Sequence, residues 1–183
     1  MPAQPHGFPS VNFRETIMLA DLPRRVNMRH ALHDFTSPGH YFITICTAGR
    51  RPILGWLESD VMHLSKPGAA VRNAWDDLPN HRDSILLDEF VIMPNHVHGI
   101  ITLLDADWTR HRPSLGTVIG GFKSAAARQA NLARNMAGSP VWQRGYYDRI
   151  ILDARALQNI RRYIAMNPDR AVERMLDAGM LRA

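Results

Sequence analysis

Two histidines separated by one residue, His96 and His98, are the side chains of this sequence best suited to bind a metal ion. Alternate side chains of a β-strand point to the same face, so both imidazoles can reach one ion if this segment is extended. Neutral imidazole binds Zn, Mn, Fe or Co, and Mg less typically, where oxygen ligands complete the shell. The pair alone is weak evidence, because the chain has nine histidines and two satisfied structural histidines fit the same pattern.

A second pair of polar residues, Tyr163 and Asn167, lies in a segment with helical periodicity. A spacing of four residues predicts that both side chains share one helical face, about one turn apart. A tyrosine hydroxyl can act as a nucleophile, and an amide oxygen can bind a metal ion. Taken without the histidines, Tyr163 also fits an aromatic at the edge of a core, and Asn167 fits a helix C-cap before Pro168.

The elements that would position these residues follow from apolar periodicity and turn residues. Residues 84–93 and 96–104 flank Pro94-Asn95 so closely that they predict an antiparallel hairpin, with the histidines on a central strand. The whole pattern predicts strands at 40–47, 84–93, 96–104 and 141–152, helices at 64–78, 114–135 and 153–167, and an amphipathic segment at 171–180.

The order strand, helix, strand, strand, helix, strand predicts an α+β fold of the ferredoxin-like or RRM-like type. In this fold two helices cover one face of an antiparallel sheet. The third helix, which carries Tyr163, is then an addition that can lie across the sheet. We expect one domain at residues 39–183, preceded by a proline-rich, partly ordered basic arm at 1–38 that contains Arg24, Arg25 and Arg29.

Composition narrows the class of protein further. The net charge of +5 favours polyanionic partners, although a basic protein without such a partner fits equally well. The single cysteine, Cys46, excludes an intramolecular disulfide framework and a cysteine-rich zinc module, and its apolar setting predicts a buried structural thiol. We expect a cytoplasmic protein, because no stretch has the length of a membrane span and the first residues lack the pattern of a secretory signal.

Four sequence blocks resemble the REP-associated tyrosine transposases, which are bacterial single-tyrosine transposases of the HUH class. The similarity covers most of residues 24–170, with the blocks in the family's order. These blocks are FVIMPNHVHGI at 90–100, SLG and GFKS at 114–116 and 121–124, VWQRGYYDRII at 141–151, and IRRYIAMNP at 160–168.

The resemblance implies an enzyme that nicks and rejoins single-stranded DNA through a 5′-phosphotyrosine intermediate. Carried over by position, His96, His98 and Asn167 bind a divalent metal ion, Mg or Mn, and Tyr163 is the nucleophile. The resemblance also implies that the partner is single-stranded or hairpin DNA of a REP element, with no membrane and no organic cofactor. It leaves open whether the protein is a monomer or a homodimer.

Four basic residues are the candidates for DNA contacts. In the resembled family the arm that contains Arg24, Arg25 and Arg29 helps to recognise the foot of the hairpin, whereas here a solubilising arm is the alternative. Lys123 on the second predicted helix could contact phosphate or the nucleophile, or it could be an ordinary solvated lysine.

Other functions remain open at this point. Tyr146 and Tyr147 compete with Tyr163 as nucleophiles, although aromatic packing in an extended segment explains both. A non-catalytic protein that binds hairpin DNA, and a metal-dependent hydrolase in which the histidines activate water, are the two alternatives to a transposase.

Overall fold

The computed structural model describes residues 37–58, 61–105 and 113–168. Residues 1–36, with Arg24, Arg25 and Arg29, and the predicted segment 171–180 lie outside this part of the chain. The described elements are β1 (Gly39–Cys46), β2 (Gly55–Glu58), β3 (Val61–Leu64), α1 (Lys66–Asp76), β4 (Ile85–Met93), β5 (His96–Leu103), α2 (Leu115–Ala133), β6 (Tyr147–Ile151) and α3 (Ala154–Ala165), with short 3-10 helices at Ala48–Arg50 and Leu78–His81.

Four strands form one antiparallel sheet in the order β4-β5-β1-β6. With α1 between the first and second strands of the sheet and α2 between the third and fourth, this is the ferredoxin-like topology that the order of elements predicted. The predicted hairpin is also confirmed, since β4 and β5 pair across the turn at Pro94-Asn95. Strand β5, which carries the histidines, is therefore central.

Helices α1 and α2 cover one face of the sheet. Ser65 and Ser114 cap them, because each serine side chain accepts a hydrogen bond from the backbone amide three residues later. The core under these helices contains Tyr41, Ile43 and Ile45 of β1, Val97 and Ile101 of β5, Val71 and Trp75 of α1, and Val118 and Phe122 of α2.

Helix α3 packs on the opposite face, as an addition to the ferredoxin-like unit. Asp153 caps it by accepting a hydrogen bond from the amide of Ala156 at 2.7 Å. Ile164 is the buried residue of the helix and packs with Ile100 of β5 and Ile151 of β6. The helix ends at Ala165, so Asn167 lies two residues beyond it.

The hairpin formed by β2 and β3 was not predicted from the sequence. Two short alternating segments separated by Ser59 and Asp60 were the available signal. The base of this hairpin is fixed to the β4–β5 turn, because the amide of Leu54 donates to the carbonyl of Pro94 at 3.0 Å.

None of the helices in the described ranges combines the length and the apolar character that crossing a bilayer requires.

Gly99 of β5 provides a test of the packing that fixes the histidine strand. A Cβ at this position would lie 2.6 Å from Cη2 of Trp75 and 2.9 Å from Cδ2 of Phe90, two rings stacked at 4.1 Å. We expect Gly99→Ala to lower the free energy of unfolding by about 1–3 kcal/mol, because the buried indole has little room to move. Urea unfolding of the purified chain measures this change.

The matched control is Gly120→Ala on α2, where an added Cβ meets nothing within 4 Å. It should raise stability by up to about 1 kcal/mol through helix propensity. Equal unfolding midpoints for Gly99→Ala and the unmodified chain would show that the contact between Gly99 and Trp75 is not tight.

Candidate active site

The two histidines lie side by side on the sheet face that α1 and α2 leave uncovered. In the pairing of β1 with β5, Thr44 is opposite His98 and Cys46 is opposite His96. The imidazole centroids are 4.7 Å apart at an interplanar angle of 75°. Both residues are buried, with exposures of 5% for His96 and 3% for His98. The predicted arrangement of two imidazoles on one strand face is therefore present.

Hydrogen bonds hold both rings by the same atom. Nδ1 of His96 bonds to Oδ1 of Asn95 at 2.7 Å, and Nδ1 of His98 bonds to Oγ1 of Thr44 at 2.7 Å. With Nδ1 of His96 donating to the amide oxygen, Nε2 carries the lone pair that a metal ion would use. The same assignment holds for His98 when Nδ1 donates to the hydroxyl oxygen. The histidines therefore fit the usual chemistry of metal-binding imidazoles.

Tyr163 reaches this pair from α3. Its ring lies 5.5 Å from that of His98, centroid to centroid, and 6.1 Å from that of Phe42 in an edge-on contact. Phe42 in turn stacks on His98 at 5.4 Å. The three rings, Phe42, His98 and Tyr163, form a mutually contacting cluster that sets the direction of the tyrosine. Sequence reasoning missed Phe42, since only the strand register brings it beside His98.

Asn167 is placed near the end of α3 rather than within it. Its side chain is buried, with an exposure of 5%. An amide in such a position needs polar partners, and a metal ion is one partner that its oxygen could take. Its role as third ligand stays a prediction.

Cys46 is the nearest additional donor by register, since it is paired with His96. The thiol is buried, and burial raises its pKa, which keeps it neutral and poorly suited to bind metal. Within residues 37–58, 61–105 and 113–168, no group of three His, Cys, Asp or Glu side chains is close enough to hold a metal ion. A metal site here depends on an amide, solvent or substrate oxygen in addition to the histidines. The prediction of a buried structural cysteine is confirmed.

An ion pair ties α3 to the edge of the sheet. The guanidinium of Arg161 donates to both carboxylate oxygens of Asp88, at 2.6 Å from Nη2 and at 3.0 and 3.1 Å from Nε. Asp88 lies where the register of β4 and β5 shifts between Leu87 and Phe90, and such a bulge redirects a strand side chain. The guanidinium hydrogen bond holds the pKa of the Asp88 carboxyl below its usual range.

Lys123 contacts the chain itself in this structure. Its Nζ donates to the carbonyls of Gln143 and Gly145 at 2.8 and 2.7 Å, and burial lowers its pKa. These bonds fix the segment that leads into β6. A contact between Lys123 and DNA stays a prediction.

The other two tyrosines lie elsewhere. Tyr146 packs against the core beneath α1 and α2. Tyr147 is paired with Thr44 and so lies on the same sheet face as the histidines. Its strand is β6, which β1 separates from β5, so the backbones at His98 and Tyr147 are about 10 Å apart. The ring of Tyr163, by contrast, lies 5.5 Å from that of His98. Tyr163 is therefore the tyrosine that the fold brings to the histidine pair.

Fold and site together define a ferredoxin-like α+β protein with a histidine pair on the sheet face opposite its two covering helices, and a tyrosine of a third helix beside that pair. No family model matches the chain. An uncharacterized protein of Haemophilus influenzae is 30% identical over 161 residues, covering 79% of this chain and 87% of that protein. The chain belongs to the same family as this protein.

The structure of a REP-associated tyrosine transposase bound to a REP hairpin has the same fold, with a TM-score of 0.55 and 21% identity over 73% of this chain and 68% of that chain. A second structure, from Deinococcus radiodurans, has a TM-score of 0.46 and 16% identity over 70% of this chain and 90% of that chain. The first of these structures confirms, at the level of the fold, the resemblance seen in the sequence blocks.

The pair of Asp88 and Arg161 generates a prediction about stability and pH. A carboxyl whose pKa is lowered on folding contributes stability above its unfolded pKa of about 3.9. That contribution is lost as the pH falls through the lower, folded value. We expect Asp88→Asn to lower the free energy of unfolding by about 0.5–1 kcal/mol at pH 7, since solvent screens a partly exposed pair.

The difference between Asp88→Asn and the unmodified chain should begin to shrink below about pH 4, where the carboxyl of the unfolded chain becomes protonated, and should vanish below the lower pKa of the folded chain. Urea unfolding at a series of pH values measures this. Asp76→Asn is the matched control, because Asp76 is exposed and its distance to Arg72 is 3.9 Å. A difference that is constant down to the lowest pH would contradict the role of the Asp88 carboxylate.

Proposed function

We propose that the protein is a transposase that nicks and rejoins single-stranded DNA, with Tyr163 as its nucleophile. The observation that carries this proposal is the contact between the rings of Tyr163 and His98 on the sheet face opposite α1 and α2. A nucleophile beside a pair of metal-binding side chains is the arrangement that attack on a phosphate requires. The shared fold with a transposase bound to a REP hairpin supports the choice of substrate.

In the proposed reaction the hydroxyl oxygen of Tyr163 attacks the scissile phosphorus. The bond from phosphorus to the tyrosine oxygen forms as the bond to the 3′ oxygen of the preceding nucleotide breaks. The phenolic proton leaves to solvent, and the departing 3′ oxygen takes up a proton to become a hydroxyl. Because a phosphodiester is retained as a 5′-phosphotyrosine, a 3′ hydroxyl can attack it and reverse the step. Nicking and joining thus use the same groups.

The residues of the site have different roles in the proposed reaction. His96, His98 and Asn167 would hold a divalent ion, Mg or Mn, which when bound supplies positive charge to the phosphate oxygens and favours the phenolate. Thr44 and Asn95 hold the imidazoles through Nδ1. Phe42 and the ion pair of Arg161 with Asp88 hold α3, and with it the tyrosine, against the sheet.

The proposed substrate is hairpin-forming DNA with an unpaired segment. The net charge of +5 suits a polyanion, and we assign Arg24, Arg25, Arg29 and Lys123 to backbone or base contacts as the sequence predicted. Cations that neutralise phosphates make affinity fall with salt, which gives a simple check on this assignment.

Tyr163→Phe tests the nucleophile. The unmodified protein, incubated with end-labelled hairpin DNA and Mn or Mg, should form a covalent band that survives denaturation and is absent with a chelator. Tyr163→Phe should form no adduct and no nick, because the attacking oxygen is missing. Tyr147→Phe is the matched control on the same sheet face and should retain both products. Nicking that persists in Tyr163→Phe would indicate water as the nucleophile instead.

Thr44→Val tests the metal assignment through a binding measurement. Loss of the hydroxyl removes the partner of His98 Nδ1, and such outer partners typically contribute 10- to 100-fold to metal affinity. We expect titration calorimetry with Mn to show a loss of about that size. The chain offers a matched control in Thr102→Val, which removes an equivalent 2.8 Å bond from Thr102 to Nδ1 of His40. Equal Mn affinity in both variants would refute the assignment.

A further inference from the structure

The outward face of the β2–β3 hairpin exposes aromatic and apolar side chains. The register pairs Trp56 with His63 and Glu58 with Val61, so these four side chains share one face. Trp56 is 54% exposed and Val61 56% exposed. Met62, on the other face, packs against the main core. The hairpin is therefore anchored by its inner face, and its indole contributes little to that anchoring.

Trp56 and His63 form a stacked pair. Their ring centroids are 5.5 Å apart and the rings are nearly parallel, at 13°. Nε2 of His63 lies 3.6 Å from a carboxylate oxygen of Glu58, which helps to hold the imidazole. His63 stacks on the indole with an offset, and Trp56 remains 54% exposed. This geometry presents a flat aromatic surface, held in place before any ligand arrives.

The stacked pair lies near the histidine site. The hairpin starts directly after Leu54, whose amide is bonded to the carbonyl of Pro94, two residues before His96. With at most about 3.6 Å of chain per residue, Trp56 and His96 are within roughly 20 Å of each other. At the 3.4 Å spacing of a stacked strand this corresponds to about six nucleotides. An extension of about six nucleotides is therefore long enough to span the distance from the histidines to Trp56.

The chemistry of this surface favours a nucleic acid base over a protein partner. The exposed area of two apolar side chains, Trp56 and Val61, is far smaller than the roughly 800 Å² per partner that a stable protein interface buries. A base needs only one ring face, and stacking is the ordinary mode by which proteins hold unpaired strands. Exposed Arg51 and Lys66 lie beside the base of the hairpin in the chain, whereas Glu58 lies on the face of Trp56 and next to His63.

We propose that Trp56, backed by His63, stacks on an unpaired base of the DNA strand that enters the site. This inference rests on the proposed function, because the occupant is the single-stranded part of the same substrate. In this proposal Trp56 contributes to the binding of an unpaired extension and takes no part in the reaction at Tyr163. Val61, on the same face, offers an apolar edge for the stacked base.

Equilibrium binding in a Tyr163→Phe background, where no strand is cut, tests the proposal. Fluorescence anisotropy would give Kd for a labelled hairpin with a single-stranded extension and for the same hairpin without it. Trp56→Ala should raise Kd for the extended hairpin on the order of tenfold, the size expected when a base loses its aromatic partner, and should leave the bare hairpin unchanged. Trp56→Phe should retain most of the affinity.

Leu132→Ala is the control for loss of an exposed apolar side chain, since Leu132 is 69% exposed at the end of α2. An abasic site can be placed at each of about six nucleotides of the extension in turn. At the position whose base stacks on Trp56, the base is already missing, so Trp56→Ala should not raise Kd further. Equal affinity of Trp56→Ala and its parent for the extended hairpin overturns the stacking proposal alone. Failure of the parent to bind either DNA overturns the proposed function and the stacking proposal together.

Discussion

The pairing register between β1 and β5 is the constraint on which the rest of the site depends. It places Thr44 opposite His98 and Phe42 opposite Ile100, so the partner of the imidazole and the ring that stacks on it come from one strand. A shift of one residue would turn every side chain of β5 to the other face. The histidines would then point into the core, and Val97 and Ile101 would no longer be buried there. The hydrophobic effect that fixes the core thus also fixes the site.

Helix α3 is held far less firmly than the sheet. Ile164 is its buried residue, supported by partly buried contacts from Leu157 and Ile160. The ion pair of Arg161 with Asp88 and the edge contact with Phe42 supply the remaining constraints on its position. A helix held by a small apolar area and a partly exposed ion pair has a low cost of local displacement. Tyr163, the proposed nucleophile, therefore lies on an element that is held less firmly than the strand of the histidines.

Most of the fold could be predicted from the sequence because its elements have strong local signals. Ser114 and Asp153 cap helices whose apolar positions recur at helical spacing, and Pro94-Asn95 separates two strands too closely for any connection but a hairpin. The β2–β3 hairpin was missed for a physical reason. Its strands have four residues each, and burial against a core formed by other elements, rather than strand propensity, keeps them in place.

The site was less predictable, because several of its residues act through contacts that no local pattern encodes. His96, His98 and Tyr163 stand out by type and spacing, whereas Thr44 is an ordinary strand threonine until the register places it against an imidazole. The position of Tyr147 likewise depends on the order of the strands, which no local pattern encodes. It lies on the histidine face, yet β1 separates its strand from β5 and keeps it about 10 Å away in the plane of the sheet. Helix α3 instead packs on this face and brings the ring of Tyr163 to 5.5 Å from that of His98, centroid to centroid.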